Sequence, residues 1–269
     1  MPLAHSGSVP VHFRTTGTIG PGPTIVLGHG FLLDETMFDG LREILEAHGV
    51  TVVTWDARGH GRTGYGDGAP FDYWDLARDA LAVLDAIGLE RAVFGGVSQG
   101  GYSALRAALL APDRVSGLAL LDTEAGACTA ADVAWYSDFF DNWWGAADPA
   151  PSAAALAPQL IGGDPSYWPR WQEKWRTGDR AGLRPAAAAL VGRDDVIDRL
   201  PEIRVPALVA RGEFDGSSTA EKCAVLAAGL GGPVESVTVA GAGHGCALTD
   251  PAPVAGALLR LIAASAGHS

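Results

Sequence analysis

The segment Gly96-Val97-Ser98-Gln99-Gly100-Gly101 constrains this chain more than any other. It fits the pattern G-x-S-x-G and follows directly on Ala92-Val93-Phe94-Gly95, an apolar, β-prone run, while a helix-periodic stretch, Gly101–Leu110, comes next. In that setting the motif describes a sharp strand-to-helix turn that raises a serine hydroxyl above the end of a sheet. Side chains two residues to either side would strike their neighbours on such a turn, and glycines occupy both places, Gly96 and Gly100. Ser98 is therefore the candidate nucleophile.

The rest of the chain has the alternation that such a turn needs. Strand candidates are Val11–Arg14, Thr24–Gly28, Thr51–Trp55, Ala92–Gly95, Gly117–Leu121, Ala207–Arg211 and Ser236–Ala240. Several are near-continuous apolar runs, as in strands buried on both faces of a parallel sheet. Helix candidates lie between them, near Met37–Ala47, Tyr73–Ile87, Gly101–Leu110, Thr219–Ala228 and Pro253–Ala264. The predicted fold class is α/β, a mostly parallel central sheet with helices on both faces.

One stretch breaks the rhythm. Residues 124–193 hold six of the eight tryptophans and are cut by six prolines, with no convincing β-run. They are read as a small, mainly helical cap insertion over the carboxyl edge of the sheet, where open α/β sheets bind ligands. The core is then 1–123 with 194–269. Trp135, Trp143, Trp144 and Trp168, with Leu32, are candidate substrate-binding residues; the simpler reading is that the tryptophans pack the insertion onto the core.

Composition narrows the partners. With 19 basic against 31 acidic residues the formal net charge is −12, which repels phosphate backbones and anionic lipid. Neither nucleic acid nor a membrane is expected as a partner; a small molecule is, and a homo-oligomer is compatible with this. No apolar run approaches the roughly 20 residues that span a bilayer, and the first residues carry no secretory signal pattern. Cys128, Cys223 and Cys246 form no CxxC pair, which argues against a disulfide framework or a zinc site and for a cytoplasmic location. No phosphate-binding glycine motif or metal-ligand spacing appears, so no cofactor and no metal are expected.

A serine hydroxyl needs a base beside it and a carboxylate to orient that base. His244, in Gly243-His244-Gly245 just past the last predicted strand, is the best placed of seven histidines. His5, His48 and His268 fall at a terminus or helix end, His12 is in the first strand, and His29 and His60 belong to glycine-rich loops. For the acid, Asp215 follows the strand Ala207–Arg211; Glu213 is its close competitor and Asp122, after Leu121, a rarer alternative. The order Ser…Asp…His is the one this architecture uses.

On these residues, together with Gly28-His29-Gly30-Phe31 and Asp56-Ala57-Arg58-Gly59-His60-Gly61-Arg62, the chain resembles the α/β-hydrolase superfamily over essentially its full length. Within it the chain is most similar to small bacterial esterases, enol-lactonases and cofactor-free haloperoxidase-like hydrolases. The resemblance implies an oxyanion hole formed by the backbone N–H groups of Phe31 and Gln99, with Leu32 as fallback for the first. It implies structural roles for His29 and Arg58, and Thr63 stands where the family often has serine. The expected activity is hydrolysis of a carboxylic ester or lactone through an acyl-enzyme. Carbon–carbon bond hydrolysis of a dienoic ketone, or a non-hydrolytic ligand-binding or biosynthetic role on the same scaffold, are the alternatives. Arg170, Lys174, Arg176, Arg180 and Arg184 in the insertion either bind a substrate carboxylate or form a solvated helix face.

Overall fold

The computed structural model describes residues 2–20, 22–64 and 68–267; His268 lies outside the described residues. The chain opens with β1 (Leu3–Ser6), β2 (Val9–Thr16) and β3 (Thr24–Gly28). Next come α1 (Asp39–Ala47), β4 (Thr51–Trp55), α2 (Tyr73–Ala86), β5 (Ala92–Val97), α3 (Gln99–Leu110) and β6 (Val115–Leu121). Four helices follow before the sheet resumes: α4 (Ala130–Gly145), α5 (Ala150–Leu160), α6 (Trp168–Thr177) and α7 (Arg184–Val191). The chain closes through β7 (Ala207–Gly212), α8 (Ala220–Gly229), β8 (Val234–Val239), α9 (Cys246–Thr249) and α10 (Pro251–Ala266).

The strands make one sheet in the order β1-β2-β4-β3-β5-β6-β7-β8. β2 is antiparallel to both β1 and β4, and every other pair is parallel. β3, β4 and β5 are buried at every residue, which is why they read as unbroken apolar runs. Helices α2 and α3 pack together on one face, while α1 and α10 pack together on the other. Among the described residues eight strands are present, where the sequence predicts seven. The missed one, β1, has no β-branched residue and buries one side chain, Ala4, so it carries little pattern. Helix α3 starts at Gln99, two residues earlier than the apolar periodicity suggests, because the turn at Ser98 feeds straight into it.

The sheet fixes where chemistry can happen. From β3 the chain moves to β4 on one side and later returns to β5 on the other, so β3 and β5 form a switch point. Ligands bind outside the carboxyl ends of strands at such points. The loop after β3 carries His29 to Asp34, and the turn after β5 carries Ser98.

Helices α4 to α7 bridge β6 and β7. Thr129 and Asp132 form a reciprocal capping box that starts α4. Pro151, Pro169 and Pro185 sit in the first turns of α5, α6 and α7, where a missing N–H costs nothing. These three prolines set where their helices begin, while Pro158 lies inside α5. Contacts from Lys174 and Trp175 tie α6 to the loop after β3. Lys174 Nζ lies 2.5 Å from Asp34 Oδ2, and Trp175 Nε1 donates to Leu32 O at 2.6 Å. At the two ends of the bridge, buried Arg193 and Glu124 pair at 2.8 Å. Among the described residues no helix is long and apolar enough to cross a membrane.

Candidate active site

Ser98 joins β5 to α3 with φ 52° and ψ −111°, a backbone conformation that costs a non-glycine residue energy. The neighbours hold it there. Ser98 N donates to Leu121 O at 2.9 Å, and its carbonyl accepts from Thr123 Oγ1 at 2.8 Å. A Cβ on Gly96 or Gly100 would lie 2.2 or 2.0 Å from Gly28 O, so the turn closes on β3 only because both lack a side chain. Ser98 Oγ makes no hydrogen bond among the described residues.

Beside Ser98, the amides of Phe31 and Gln99 have no hydrogen-bond partner among the described residues. Leu32 cannot serve as the fallback donor, because its N–H is bound to His60 Nε2 at 3.1 Å. Burial, and then the neighbouring His29, push the His60 pKa down to about 3. The ring is therefore neutral and keeps Nε2 open to the Leu32 amide. Leu32 itself has φ 62°, and Trp175 fixes its carbonyl from α6. His29 orders the same loop: it accepts from Ala57 N at 2.9 Å on Nε2 and faces Gly30 O at 2.8 Å with Nδ1. Arg58 forms a two-pronged pair with buried Asp79 at 2.7 and 2.8 Å, and Thr63 Oγ1 accepts from His12 N at 2.8 Å. The Trp175→Phe variant keeps most of the ring's bulk and strands the Leu32 carbonyl. It is expected to cost about 1–3 kcal/mol of stability, read as a lower urea midpoint at unchanged slope.

His244 Nδ1 lies 2.9 Å from Asp215 Oδ2, and both side chains are buried. The other oxygen of Asp215 accepts from Ser217 N and Ser218 N at 2.8 and 3.0 Å. Burial pushes the Asp215 carboxyl up, but His244 and these amides outweigh it and hold it below the ordinary carboxylate range. Burial likewise pulls His244 down, yet Asp215 first, then Asp122 and Glu124, leave its pKa raised. Glu213 points elsewhere, and its carboxylate accepts from Gly241 N at 2.9 Å. Asp122 does not bond His244 either. It accepts from Gly212 N at 2.8 Å and Cys246 N at 3.1 Å, stapling together the loops that carry Asp215 and His244. Burial and the facing Asp215 raise its pKa to about 7, against the pull of His244 and those two partners. The thiol of Cys246 is pushed well up by burial and by Asp122, so it is an inert neighbour.

Ser98 and His244 line one cavity of about 30 Å³ with Gly30, Phe31, Tyr136 and Leu160, room for a water or two. No hydrogen bond joins the two side chains among the described residues, a contact that commonly tightens only with substrate in place. Phe31, Tyr136, Leu160 and Ser217 also form a wall of a larger chamber of about 510 Å³ beneath α4 and α5. A separate cleft of about 480 Å³ lies between the loop at 59–64 and α6, with no part of Ser98 or His244 in its lining. Among the described residues no cluster of His, Cys, Asp or Glu is arranged to hold a metal.

The family model for the alpha/beta hydrolase fold matches residues 23–251. The chain belongs to the α/β-hydrolase family. A putative non-heme haloperoxidase of Mycobacterium phage D29 is 34% identical over 111 residues, 40% of this chain and 39% of that protein. Epoxide hydrolase A of Mycobacterium tuberculosis is 31% identical over 221 residues, 76% of this chain and 65% of that protein. The chain thus spans less than two thirds of either relative. A thermophilic esterase from Thermogutta terrifontis superposes with a TM-score of 0.83 at 27% identity, covering 94% of each chain.

Within this α/β-hydrolase, Ser98, His244, Asp215, Phe31 and Gln99 converge at the switch point. Leu32 lines the larger chamber, and of the four tryptophans only Trp135 does. Trp143 is fully buried and faces the separate cleft. Trp144 stacks on Phe140 with Arg184 over its ring, and Trp168 donates to Gly162 O at 3.1 Å. Trp144 and Trp168 thus join parts of the α4–α7 segment to one another, and none of the three lines the chamber. Tyr136, Phe139, Phe140 and Phe214 are chamber residues that the emphasis on tryptophan passed over. A signal was present: aromatics at 135, 136, 139, 140, 143 and 144 repeat at helical spacing.

Proposed function

We propose that this α/β-hydrolase cleaves a carboxylic ester or lactone of a small, partly apolar substrate through an acyl-enzyme on Ser98. The observation that carries the reading is the pair of unpartnered amides, Phe31 and Gln99, beside a serine that shares its cavity with the Asp215–His244 pair. Ser98 Oγ attacks the carbonyl carbon while His244 Nε2 takes its proton. The oxyanion that forms is held by the two amides, each typically worth ~2.7–4 kcal/mol to the transition state. His244 passes the proton to the departing alkoxide, and water then repeats the sequence to release the acid and restore the serine. Asp215 fixes the imidazole with its proton on Nδ1 and stabilises the imidazolium. In this reading residues 1–123 and 194–269 carry the reaction and residues 124–193 choose the substrate. Serine at the nucleophile position favours acyl chemistry over the epoxide opening named for one relative.

A fluorophosphonate probe tests it. One adduct per chain is expected by intact mass, placed on Ser98 by peptide mapping, with ester hydrolysis lost in proportion. Hydrolysis that survives full labelling, or a protein that takes no adduct, overturns the assignment.

A further inference from the structure

We propose, building on that reading, that the substrate is a neutral ester carrying an aromatic or bulky apolar group, and that esters bearing a carboxylate are rejected. The cavity around Ser98 and His244 holds no more than a water or two, so anything larger than a small acyl group must extend past the wall of Phe31, Tyr136 and Leu160. The chamber beyond that wall is lined by Trp135, Tyr136, Phe139, Phe140, Leu156 and Phe214, among others. Trp135 and Phe139 stack at 5.6 Å with their planes 3° apart, a flat apolar face for a ring to lie against. At the mouth, Trp135 is 45% and Phe214 72% exposed. Large aromatics held in water on two sides of one opening are the mark of a ligand surface.

The charge pattern sharpens the choice. Asp132 is the single charged residue in the lining, among the described residues. Burial raises its pKa, but hydrogen bonds from Thr129 outweigh that and keep the carboxyl ionised. The nearest cations are Lys222, 3.9 Å from Asp132, and Arg193; both pair more closely with Glu124, at 3.1 and 2.8 Å. The insertion's cations are spent elsewhere. Lys174 is on Asp34, Arg176 on Glu173, Arg180 on the carbonyls of Trp143 and Ala146, and Arg184 on the Trp144 ring. Arg170 faces Asp39 at 3.6 Å. A substrate carboxylate in this chamber would sit beside Asp132, with the nearby cations already held by Glu124, which is unfavourable.

Hydrolysis of methyl 3-phenylpropanoate, benzyl acetate, methyl acetate and monomethyl glutarate, followed by pH-stat, tests this. The better aromatic ester is expected to exceed monomethyl glutarate by about 100-fold or more in kcat/KM. Phe139→Ala is expected to shrink the aromatic-over-acetate ratio about tenfold, mainly through KM. Trp135→Arg, at an exposed position, is expected to raise the rate on monomethyl glutarate about tenfold. Turnover of all four esters with the carboxylate ester within threefold of the aromatic ones overturns this proposal and leaves the serine hydrolase reading standing. No turnover of any ester together with no phosphonate adduct on Ser98 removes both.

Discussion

Ser98→Ala is expected to lower kcat on an activated ester by at least ~10⁴-fold, the scale of losing the nucleophile of a Ser-His-Asp site. The fold should be indifferent to the change. Ser98 Oγ has no hydrogen bond among the described residues, and the contacts that hold the turn run through the backbone of Ser98, which alanine retains. Alanine also meets the same strained φ that serine does. Removing the hydroxyl therefore takes away the attacking atom and little else. Residual activity above the uncatalysed rate is expected, since the Phe31 and Gln99 amides still face the carbonyl. Steady-state kinetics paired with a urea melt read both halves. A variant with unchanged melting that keeps more than a tenth of the activity sinks Ser98 as nucleophile.

How legible the site is in sequence depends on whether one residue type is forced by local geometry. Gly96 and Gly100 are forced by the approach of Gly28 O, so the turn announces itself. The buried parallel strands announce themselves too, because both faces must be apolar. The partners of Ser98 arrive from far along the chain, and their order is readable where their contacts are not. Asp122, Glu213 and Asp215 all stand at strand ends, and sequence alone cannot tell a carboxylate that staples two loops from one that faces the base. Three-dimensional hydrogen bonding separates them: Asp122 is committed to two amides, Glu213 to one, Asp215 to His244. The insertion is least legible. Trp143 and Trp135 sit on one helix eight residues apart, yet one is fully buried and the other is at the chamber mouth. The aromatics cover one half of that helix and Ser137, Asp138, Asp141 and Asn142 the other, so the pattern marks the apolar half without saying which of its rings meet the substrate. Likewise nothing local marks Trp175 as the donor to Leu32 O.

Asp215→Asn is expected to reduce kcat/KM by about 10³–10⁴-fold, the size seen when the same change is made in a serine triad. The cause is a tautomer. The introduced amide can still accept the Ser217 and Ser218 N–H groups through its oxygen, so the loop is kept. Its NH₂ group then faces His244 Nδ1, which must become an acceptor, moving the imidazole proton to Nε2. That nitrogen can no longer take the proton from Ser98. Glu213→Gln, whose carboxylate serves the Gly241 amide, should change kcat/KM by less than about threefold, on the scale of a modest exposed contact. The pH profile adds a second readout. Burial lowers the His244 pKa and Asp215 with its neighbours more than restores it, so the wild-type rate should rise with pH as His244 loses its proton. In the Asp215→Asn variant the burial effect is left less opposed, and the acid limb should move to lower pH beneath a much lower plateau. Asp122 should lose its proton more readily in the same variant, because burial, the larger cause of its raised pKa, remains while the like charge of Asp215 is gone. An Asp215→Asn enzyme with near wild-type kcat/KM and an unmoved acid limb, set against a crippled Glu213→Gln, would transfer the role to Glu213.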